Sequence, residues 1–211
     1  GRIVGAEYVT WDIPDGELVA DIETRYRVIR EIRNVAPDLL LTHRPYDYHP
    51  DHRAAGQLVQ DASYLVTVPN VLRDTPALFQ DPVVAYLPDV FTKPCPMVAD
   101  IVLDVTDRVD TIVAMLACHS SQVFEWLPWS EGILDQVPEE ERERIGWLRE
   151  WYREHVRPRS ARFREDLIAA FGAERGEQIE FCEVYEISDY AAPADPDRRR
   201  ELFPHAVCRG V

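Results

Sequence analysis

Residues 38–56 read DLLLTHRPYDYHPDHRAAG and join an apolar run, a histidine-containing loop and the start of a helix. The run at 38–43 is of the kind expected for a buried parallel strand. Upstream, residues 5–11 are rich in β-forming side chains, and residues 15–35 carry apolar residues at helical spacing until Pro37 ends the run. Strand, helix and strand form a βαβ unit, and such units build parallel sheets.

The rest of the chain continues this alternation and predicts an α/β architecture. Further strands are expected at 83–87, 100–106 and 178–187, and helices at roughly 50–63, after Thr106, from about Pro138 and over 160–172. Residues 1–190 are predicted to form one domain. Residues 191–211, with the polar stretch PADPDRRR, are expected to be a loosely ordered tail.

Composition narrows the classes of function. The chain has 211 residues and a formal net charge of −15, and a surface that acidic would repel phosphate backbones, so nucleic-acid binding is not expected. No apolar run approaches the ~20 residues that cross a bilayer. The 4 cysteines are far apart in sequence, which suits a reducing compartment, so we expect a cytoplasmic protein.

The sequence His-Pro-Asp-His at 49–52 has the features of a metal site. Pro50 suits the first position of a helix and disfavours helical geometry at His49, so both imidazoles can face one crevice after a strand. A helix N-terminus disfavours a cation, so a metal ion there requires carboxylates such as Asp47 and Asp51. We therefore expect a neutral His52 as metal ligand and a protonated His49, held by Asp51, as acid or oxyanion stabiliser.

Two histidines three residues apart are weak evidence by themselves, and a surface loop is the alternative interpretation. A catalytic zinc also needs about three protein ligands. His43 at a strand end, His155 on a charged helix and His205 in the tail do not obviously supply them.

The stretch THRPYDYHPDHRAAG closely resembles the second signature of the LmbE-like, PIG-L-type de-N-acetylase family, and IPDGEL and MLACHSSQVFEWLPW resemble other blocks of it. The resemblance implies a Rossmann-like, three-layer fold with a mainly parallel sheet, one divalent metal ion, usually zinc, and hydrolysis of an N-acetyl amide on an amino sugar or its conjugate. It makes His52 a metal ligand, His49 the catalytic imidazole and Asp51 its orienting carboxylate. It also implies a small-molecule partner such as an N-acetylglucosamine conjugate and suggests homo-oligomers.

One part of the family pattern does not occur in this sequence. The first signature, His-Pro-Asp-Asp-Glu, supplies two metal ligands and the general base in the family, and no such stretch is found here. We therefore expect an N-terminally incomplete domain that is inactive by itself and binds zinc weakly.

Five further residues are candidates for substrate binding. Asp15 matches a substrate-hydroxyl contact of the family, and Asp47 and Arg44 flank the motif, as does Arg53. The alternative is that the two arginines only balance nearby aspartates. His119 resembles a pocket residue, and the alternative is a histidine with hydrogen-bond partners at a helix end.

Three functions are therefore open. The first is the metal-dependent de-N-acetylase, and the second is a non-catalytic sugar-binding or assembly protein that retains the fold. The third is a different hydrolase, for instance one acting on phosphate esters, which the acidic charge and the lack of a glycine-rich phosphate loop disfavour.

Overall fold

The structure is a computed structural model that describes residues 1–208. Its strands are β1 Leu39–Thr42, β2 Val83–Tyr86, β3 Ile101–Asp104, β4 Cys182–Ile187 and β5 Val207–Cys208. Its helices are α1 Ile22–Val35, α2 Pro50–Leu65, α3 Val109–Leu116, α4 Leu127–Ser130, α5 Glu141–Arg162, α6 Arg164–Phe171, α7 Ala173–Gln178 and α8 Pro196–Leu202. Single turns at Thr106–Arg108, Gln122–Trp126 and Leu134–Gln136 are of the 3-10 or π type.

The chain divides into two compact units, which we name the sheet unit and the helical unit. The sheet unit comprises Trp11–Leu103 and the chain from Glu183 onward, and the helical unit comprises Gly1–Thr10 and Asp104–Cys182. The strands form a five-stranded sheet of order β1-β2-β4-β3-β5. Almost all of this sheet belongs to the sheet unit.

The parallel part of the sheet is the β1–α2–β2 unit. β1 pairs with β2 in parallel, with Leu39 opposite Val83 and Thr42 opposite Tyr86. α1 and α2 pack together through the buried side chains of Ile29, Ile32, Ala62 and Val66. The apolar spacing of α1 therefore buries one face of that helix against α2.

The prediction of a mainly parallel sheet is not confirmed. β2 pairs with β4, and β3 with β5, in the antiparallel direction. Residues 5–11, predicted as the first strand, form no strand, and the side chains of 5–10 are exposed. An apolar or alternating run predicts how deeply a strand is buried, but it does not predict the direction of the neighbouring strand.

The helical unit has its own core. Val109 and Val113 of α3 pack against Leu148, Tyr152 and Val156 of α5, together with Val123, Phe124 and Phe181. α5 runs from residue 141 to 162 with Pro158 inside it, although the sequence predicted an interruption there. None of the helices described in residues 1–208 has the length and apolar composition needed to cross a membrane.

The segment predicted as a loosely ordered tail differs from that prediction in its described part. α8 begins after Asp195, whose carboxylate accepts a hydrogen bond from the Arg198 N–H at 2.8 Å. Phe203 is buried against Ala85 and Ile101, and β5 pairs with β3. Residues 209–211 of the predicted tail lie outside the described residues. Burial of Phe203 orders a segment whose polar composition predicted otherwise.

Candidate functional site

The candidate site lies in the sheet unit, at the carboxyl end of β1 and the start of α2. The loop from His43 to His49 joins the two elements, and His49 is the N-cap of α2, its Nδ1 accepting a hydrogen bond from the Asp51 N–H at 3.3 Å. Gly56 allows α2 to approach this loop, because a Cβ atom there would lie 2.5 Å from the His43 carbonyl oxygen. The motif is thus held at the edge of the sheet where α/β proteins bind ligands.

His43, Asp47 and His52 form the first group of potential metal ligands. One ligand atom from each lies within 4.8 Å of the others, and all three side chains are partly buried. The His52 Nδ1 atom is 3.0 Å from Asp47 Oδ1. The rings of His43 and His52 are stacked, with centroids 4.0 Å apart and planes inclined by 2°.

The chemistry of this group fits a divalent metal ion. Imidazole nitrogens and carboxylate oxygens are ligands of zinc at about 2.0–2.2 Å, so two of them 3.0 Å apart can be neighbours on one ion. Burial, and then electrostatic repulsion between the rings of His52 and His43, lower the pKa of His43. A lowered pKa keeps His43 neutral, which is the form that binds a metal ion. The three residues could therefore hold one ion.

Asp15, His49 and Asp51 form a second group beside the first. The His49 Nε2 atom lies 3.6 Å from Asp15 Oδ1, and the Asp15 side chain is 94% exposed. His49 also accepts a backbone hydrogen bond through Nδ1, which leaves Nε2 as its free ring nitrogen. The carboxylate nearest to this nitrogen is therefore that of Asp15.

The carboxylate of Asp51 binds a different partner from the one predicted. It accepts hydrogen bonds from the Gly16 N–H at 2.8 Å and the Leu18 N–H at 3.1 Å, and these bonds, with that of Gly16 foremost, lower its pKa. No hydrogen bond from His49 to this carboxylate is described within residues 1–208. Asp51 therefore fixes the turn that carries Asp15, and the side-chain partner that faces His49 is Asp15.

Comparison with known proteins finds a family model that is similar to the part of the chain that carries these residues. Residues 1–63 match the family model PIG-L: GlcNAc-PI de-N-acetylase. We name this stretch the PIG-L segment after the model that it matches. It contains both groups of potential ligands, so the recognition made from the HPDH signature is confirmed.

A sequence relative and two solved structures are similar to the chain beyond this segment. The chain is 30% identical to the 4-oxalmesaconate hydratase of Pseudomonas putida over an alignment of 128 residues. The alignment covers 59% of this chain and 48% of that protein. The 4-carboxy-2-hydroxymuconate hydratase GalB of Pseudomonas putida KT2440 has a TM-score of 0.62 and 20% identity, covering 92% of this chain and 70% of that one. The N,N'-diacetylchitobiose deacetylase of Pyrococcus horikoshii has a TM-score of 0.57 and 19% identity, and the match covers 97% of this chain and 61% of that one.

These comparisons define the fold and the chemical range of the relatives. The structural likeness shows that the chain shares a mixed α/β fold with these two proteins. The chain spans about half the length of the curated relative that it matches. The relatives include both a deacetylase and hydratases, so likeness to them does not by itself choose between these two reactions.

Arg44 lies inside the PIG-L segment but its guanidinium is engaged elsewhere. Its side chain is 3% exposed and forms ion pairs with Asp89 at 3.2 Å and Glu186 at 3.5 Å. It also donates to the Cys95 carbonyl oxygen at 2.9 Å. These contacts favour a structural role for Arg44, in the charge balance that was the alternative interpretation, although with partners other than Asp47 and Asp51.

His119, the remaining predicted substrate contact, lies outside the PIG-L segment and in the helical unit. It follows α3, its side chain is exposed, and its ring contacts Tyr8 edge-on with centroids 6.3 Å apart. Its backbone N–H donates to the Leu116 carbonyl at 2.9 Å. A role for His119 in substrate binding stays a prediction.

The residue that sequence reasoning missed is His43. Its place at a strand end does not predict a metal ligand, yet its ring stacks directly on His52. Its position was the available signal, because a polar residue immediately after a buried parallel strand points to the ligand-binding edge of the sheet. Asp47, predicted as a substrate contact, joins His43 and His52 in the first group.

Proposed function

We propose that this chain is part of an enzyme that uses one divalent metal ion, zinc in our proposal, to add water to an unsaturated polycarboxylate. The observation that carries the proposal is the 30% identity over 128 residues with 4-oxalmesaconate hydratase, whose name describes addition of water to such a substrate. The hydratase GalB, whose named substrate is the enol form of 4-oxalmesaconate, has the same fold as this chain, which is compatible with the same choice. The site contains histidines and aspartates, which are the side chains that metal binding and proton transfer in such a reaction require.

Each group of the site has a separate part in the proposed reaction. His43, Asp47 and His52 would hold the ion, which when bound lowers the pKa of a water molecule and polarises a carbonyl group. His49 would donate a hydrogen bond from Nε2–H to the substrate oxygen that gains negative charge, because its Nδ1 atom accepts from the Asp51 N–H and the ring proton is therefore on Nε2. Asp15, whose Oδ1 atom lies 3.6 Å from Nε2, would favour the proton on that nitrogen before the substrate binds.

De-N-acetylation of an amino sugar is the second candidate. It is favoured by the match of residues 1–63 to a de-N-acetylase family model and by the likeness to a chitobiose deacetylase. The same ring of His49 would then stabilise the oxyanion of the tetrahedral intermediate or protonate the departing amine. A protein that binds sugar or assembles without catalysis is the third alternative.

One pair of assays separates these reactions. We would incubate the full-length protein with Zn²⁺ and either 4-oxalmesaconate or N,N'-diacetylchitobiose. Addition of water across the conjugated double bond should lower the ultraviolet absorbance of the first substrate. Deacetylation should release acetate from the second. The proposal expects a zinc-dependent loss of absorbance without release of acetate.

Variants connect the measured activity to the site. His43→Ala and His52→Ala should each abolish the absorbance change and lower the zinc content. His205→Ala is the matched control, because His205 is exposed and belongs to neither group of ligands. Acetate release in place of the absorbance change would replace the first candidate with the second. Zinc-loaded protein that performs neither reaction would favour the non-catalytic alternative.

A further inference from the structure

The loop between β1 and α2 carries an exposed aromatic ring above the site. The Tyr48 side chain is 72% exposed, and its ring stands edge-on to His49, with centroids 5.8 Å apart, and to His52, with centroids 5.6 Å apart. A tyrosine that exposed gains little from packing in the core. Its ring therefore offers an aromatic surface to a ligand that reaches the two imidazoles.

A second aromatic ring extends this surface. The ring of Phe91 lies 6.3 Å from that of Tyr48, centroid to centroid. Its backbone N–H donates to Asp89 Oδ1 at 2.9 Å, and Asp89 is held in turn by the buried guanidinium of Arg44. Arg44 thus fixes the loop that brings Phe91 beside Tyr48.

An exposed cation stands on the first turn of α2, next to this loop. Arg53 is exposed, and its Nη1 atom donates to the Asp47 carbonyl at 2.7 Å and the Tyr48 carbonyl at 2.8 Å. Within the described residues, these two bonds use only Nη1. The Nε and Nη2 donors of Arg53 are then available, and a guanidinium edge of this kind matches the two oxygens of a carboxylate.

We propose that Tyr48, Phe91 and Arg53 select a planar, conjugated carboxylate as the substrate, the two rings contacting its flat π-system and Arg53 binding one carboxylate group. This inference rests on the proposed function, because it names the residues that would recognise the substrate of that same site. Charge and flatness distinguish such a molecule from a neutral sugar. A neutral sugar would leave the Arg53 donors without an anionic partner.

Binding experiments with three probes test the proposal without relying on turnover. The probes are trans,trans-muconate, a flat conjugated dicarboxylate; adipate, its saturated analogue of equal length; and N-acetylglucosamine, which is neutral. Titration calorimetry on the full-length protein, with and without Zn²⁺, would give the Kd values. Muconate should bind about tenfold more tightly than adipate, and N-acetylglucosamine should bind most weakly.

Four variants assign the recognition to the named side chains. Arg53→Met should weaken both dicarboxylates by about tenfold or more, and Arg53→Lys should recover part of that loss. Tyr48→Ala should remove most of the preference for muconate over adipate, and Tyr48→Phe should keep it. Tyr64→Ala is the matched control, since Tyr64 is 73% exposed on α2 and contacts no residue of the site by the described bonds.

The outcomes separate this inference from the proposed function. Muconate binding that is unchanged in Arg53→Met and Tyr48→Ala, or that is no stronger than N-acetylglucosamine binding, would overturn the inference. Failure of all three probes to bind would overturn it as well. If hydration of 4-oxalmesaconate then persists with an unchanged KM in both variants, the proposed function survives alone. If muconate binds as expected but no hydration occurs, the recognition surface stands and the proposed reaction is wrong.

Discussion

The three aspartates of the site differ in what their carboxylates bind. Asp47 lies 3.0 Å from His52 Nδ1, Asp51 accepts two backbone N–H groups of the turn after Asp15, and Asp15 faces His49 at 3.6 Å. Neighbouring histidines in the HPDH sequence therefore have different carboxylate partners. Such a division suits a pair in which one ring binds a metal ion and the other moves a proton.

Substitution of the two histidines should separate these roles. His49→Asn keeps a side-chain acceptor at the N-cap of α2 but removes the imidazole, so the fold should remain. We expect activity to fall by about 10²–10³ because one stabilising group is lost, while the metal content stays unchanged. His52→Ala should lose both activity and metal. Elemental analysis and the activity assay measure the two effects, and loss of metal in His49→Asn would contradict the assignment.

The carboxylate contacts mark the limit of what the sequence could predict about the site. Pro50 correctly indicated that the helix begins at residue 50 and that His49 is the last residue before it. The HPDH spacing could not identify the partners of Asp51, because Gly16 N and Leu18 N are backbone groups 35 and 33 residues away in sequence. Backbone donors leave no side-chain pattern, so Asp51 was assigned to the nearest imidazole instead.

At the scale of elements, local sequence features predicted the boundaries of helices and strands better than they predicted which strands pair. The start of α2 at Pro50 and the positions of β1 and β2 agree with the predicted 50–63, 38–43 and 83–87 within a few residues. Each of these elements is marked by a proline, a short apolar run or an apolar stripe at helical spacing. Such a feature determines structure within the segment that contains it. The predicted strand at 5–11 has a suitable composition, but strand formation requires a neighbouring strand, which composition does not supply.

Gly56 controls the distance between α2 and the end of β1. A Cβ atom at this position would lie 2.5 Å from the His43 carbonyl oxygen and within 3.3 Å of Arg44 backbone atoms, so Gly56→Ala must displace backbone. We expect a loss of about 1–3 kcal/mol in the free energy of unfolding and weaker zinc binding, because His43 moves. Urea unfolding and zinc titration measure both.

Gly146 on α5 supplies the matched control for that substitution. A Cβ atom added to Gly146 would meet no described atom within 4 Å outside its own helix backbone, and the residue is helical. Gly146→Ala should therefore stabilise the protein by about 0.5–1 kcal/mol, as alanine does in an unobstructed helix. Equal effects of the two substitutions would mean that the close approach of α2 to His43 has no energetic importance.

Arg33 of α1 organises the chain segment that follows α2. Its buried guanidinium donates to six backbone carbonyl oxygens at 2.7–3.1 Å, those of Leu65, Val66, Val68, Val71, Leu72 and Thr75. Arg33→Met would remove all of these bonds and would leave the carbonyl oxygens of Val71 and Thr75 without the guanidinium that they accept from. We expect a loss of about 3 kcal/mol or more in the free energy of unfolding, measured by urea denaturation.

Arg30, one turn earlier on α1, is the control for Arg33. It forms an exposed ion pair with Asp74 at 3.1 Å, and such pairs contribute about 0–1 kcal/mol. Arg30→Met should accordingly change stability by less than about 1 kcal/mol. If both arginines gave the same small effect, the six carbonyl contacts of Arg33 would not stabilise the fold.

At the scale of the whole molecule, the net charge of −15 means that negative charges on the surface already repel one another. Rising pH adds further negative charge and strengthens this repulsion. One carboxyl group should contribute a distinct part of the pH dependence. Asp81 accepts a hydrogen bond from Ser63 Oγ at 2.9 Å through Oδ2, while its Oδ1 atom is buried and has no hydrogen-bond partner among the described residues. Burial raises the pKa of Asp81 to about 6.

The sign of this contribution follows from the proton balance. Because the folded protein holds the Asp81 proton more tightly than the unfolded chain, the stabilisation is full below the ordinary pKa of 3.8 and is lost as pH rises through about 6. Asp81→Asn keeps a neutral side chain of the same shape at every pH. The variant should therefore match the wild type near pH 4 and exceed its free energy of unfolding by about 1 kcal/mol near pH 7.5, a value reduced for partial exposure of the carboxyl group. Urea unfolding of both proteins from pH 4 to 8 isolates this effect, since general charge repulsion acts on both alike. A constant difference between them across that range would show that Asp81 does not titrate in the folded protein as its burial predicts.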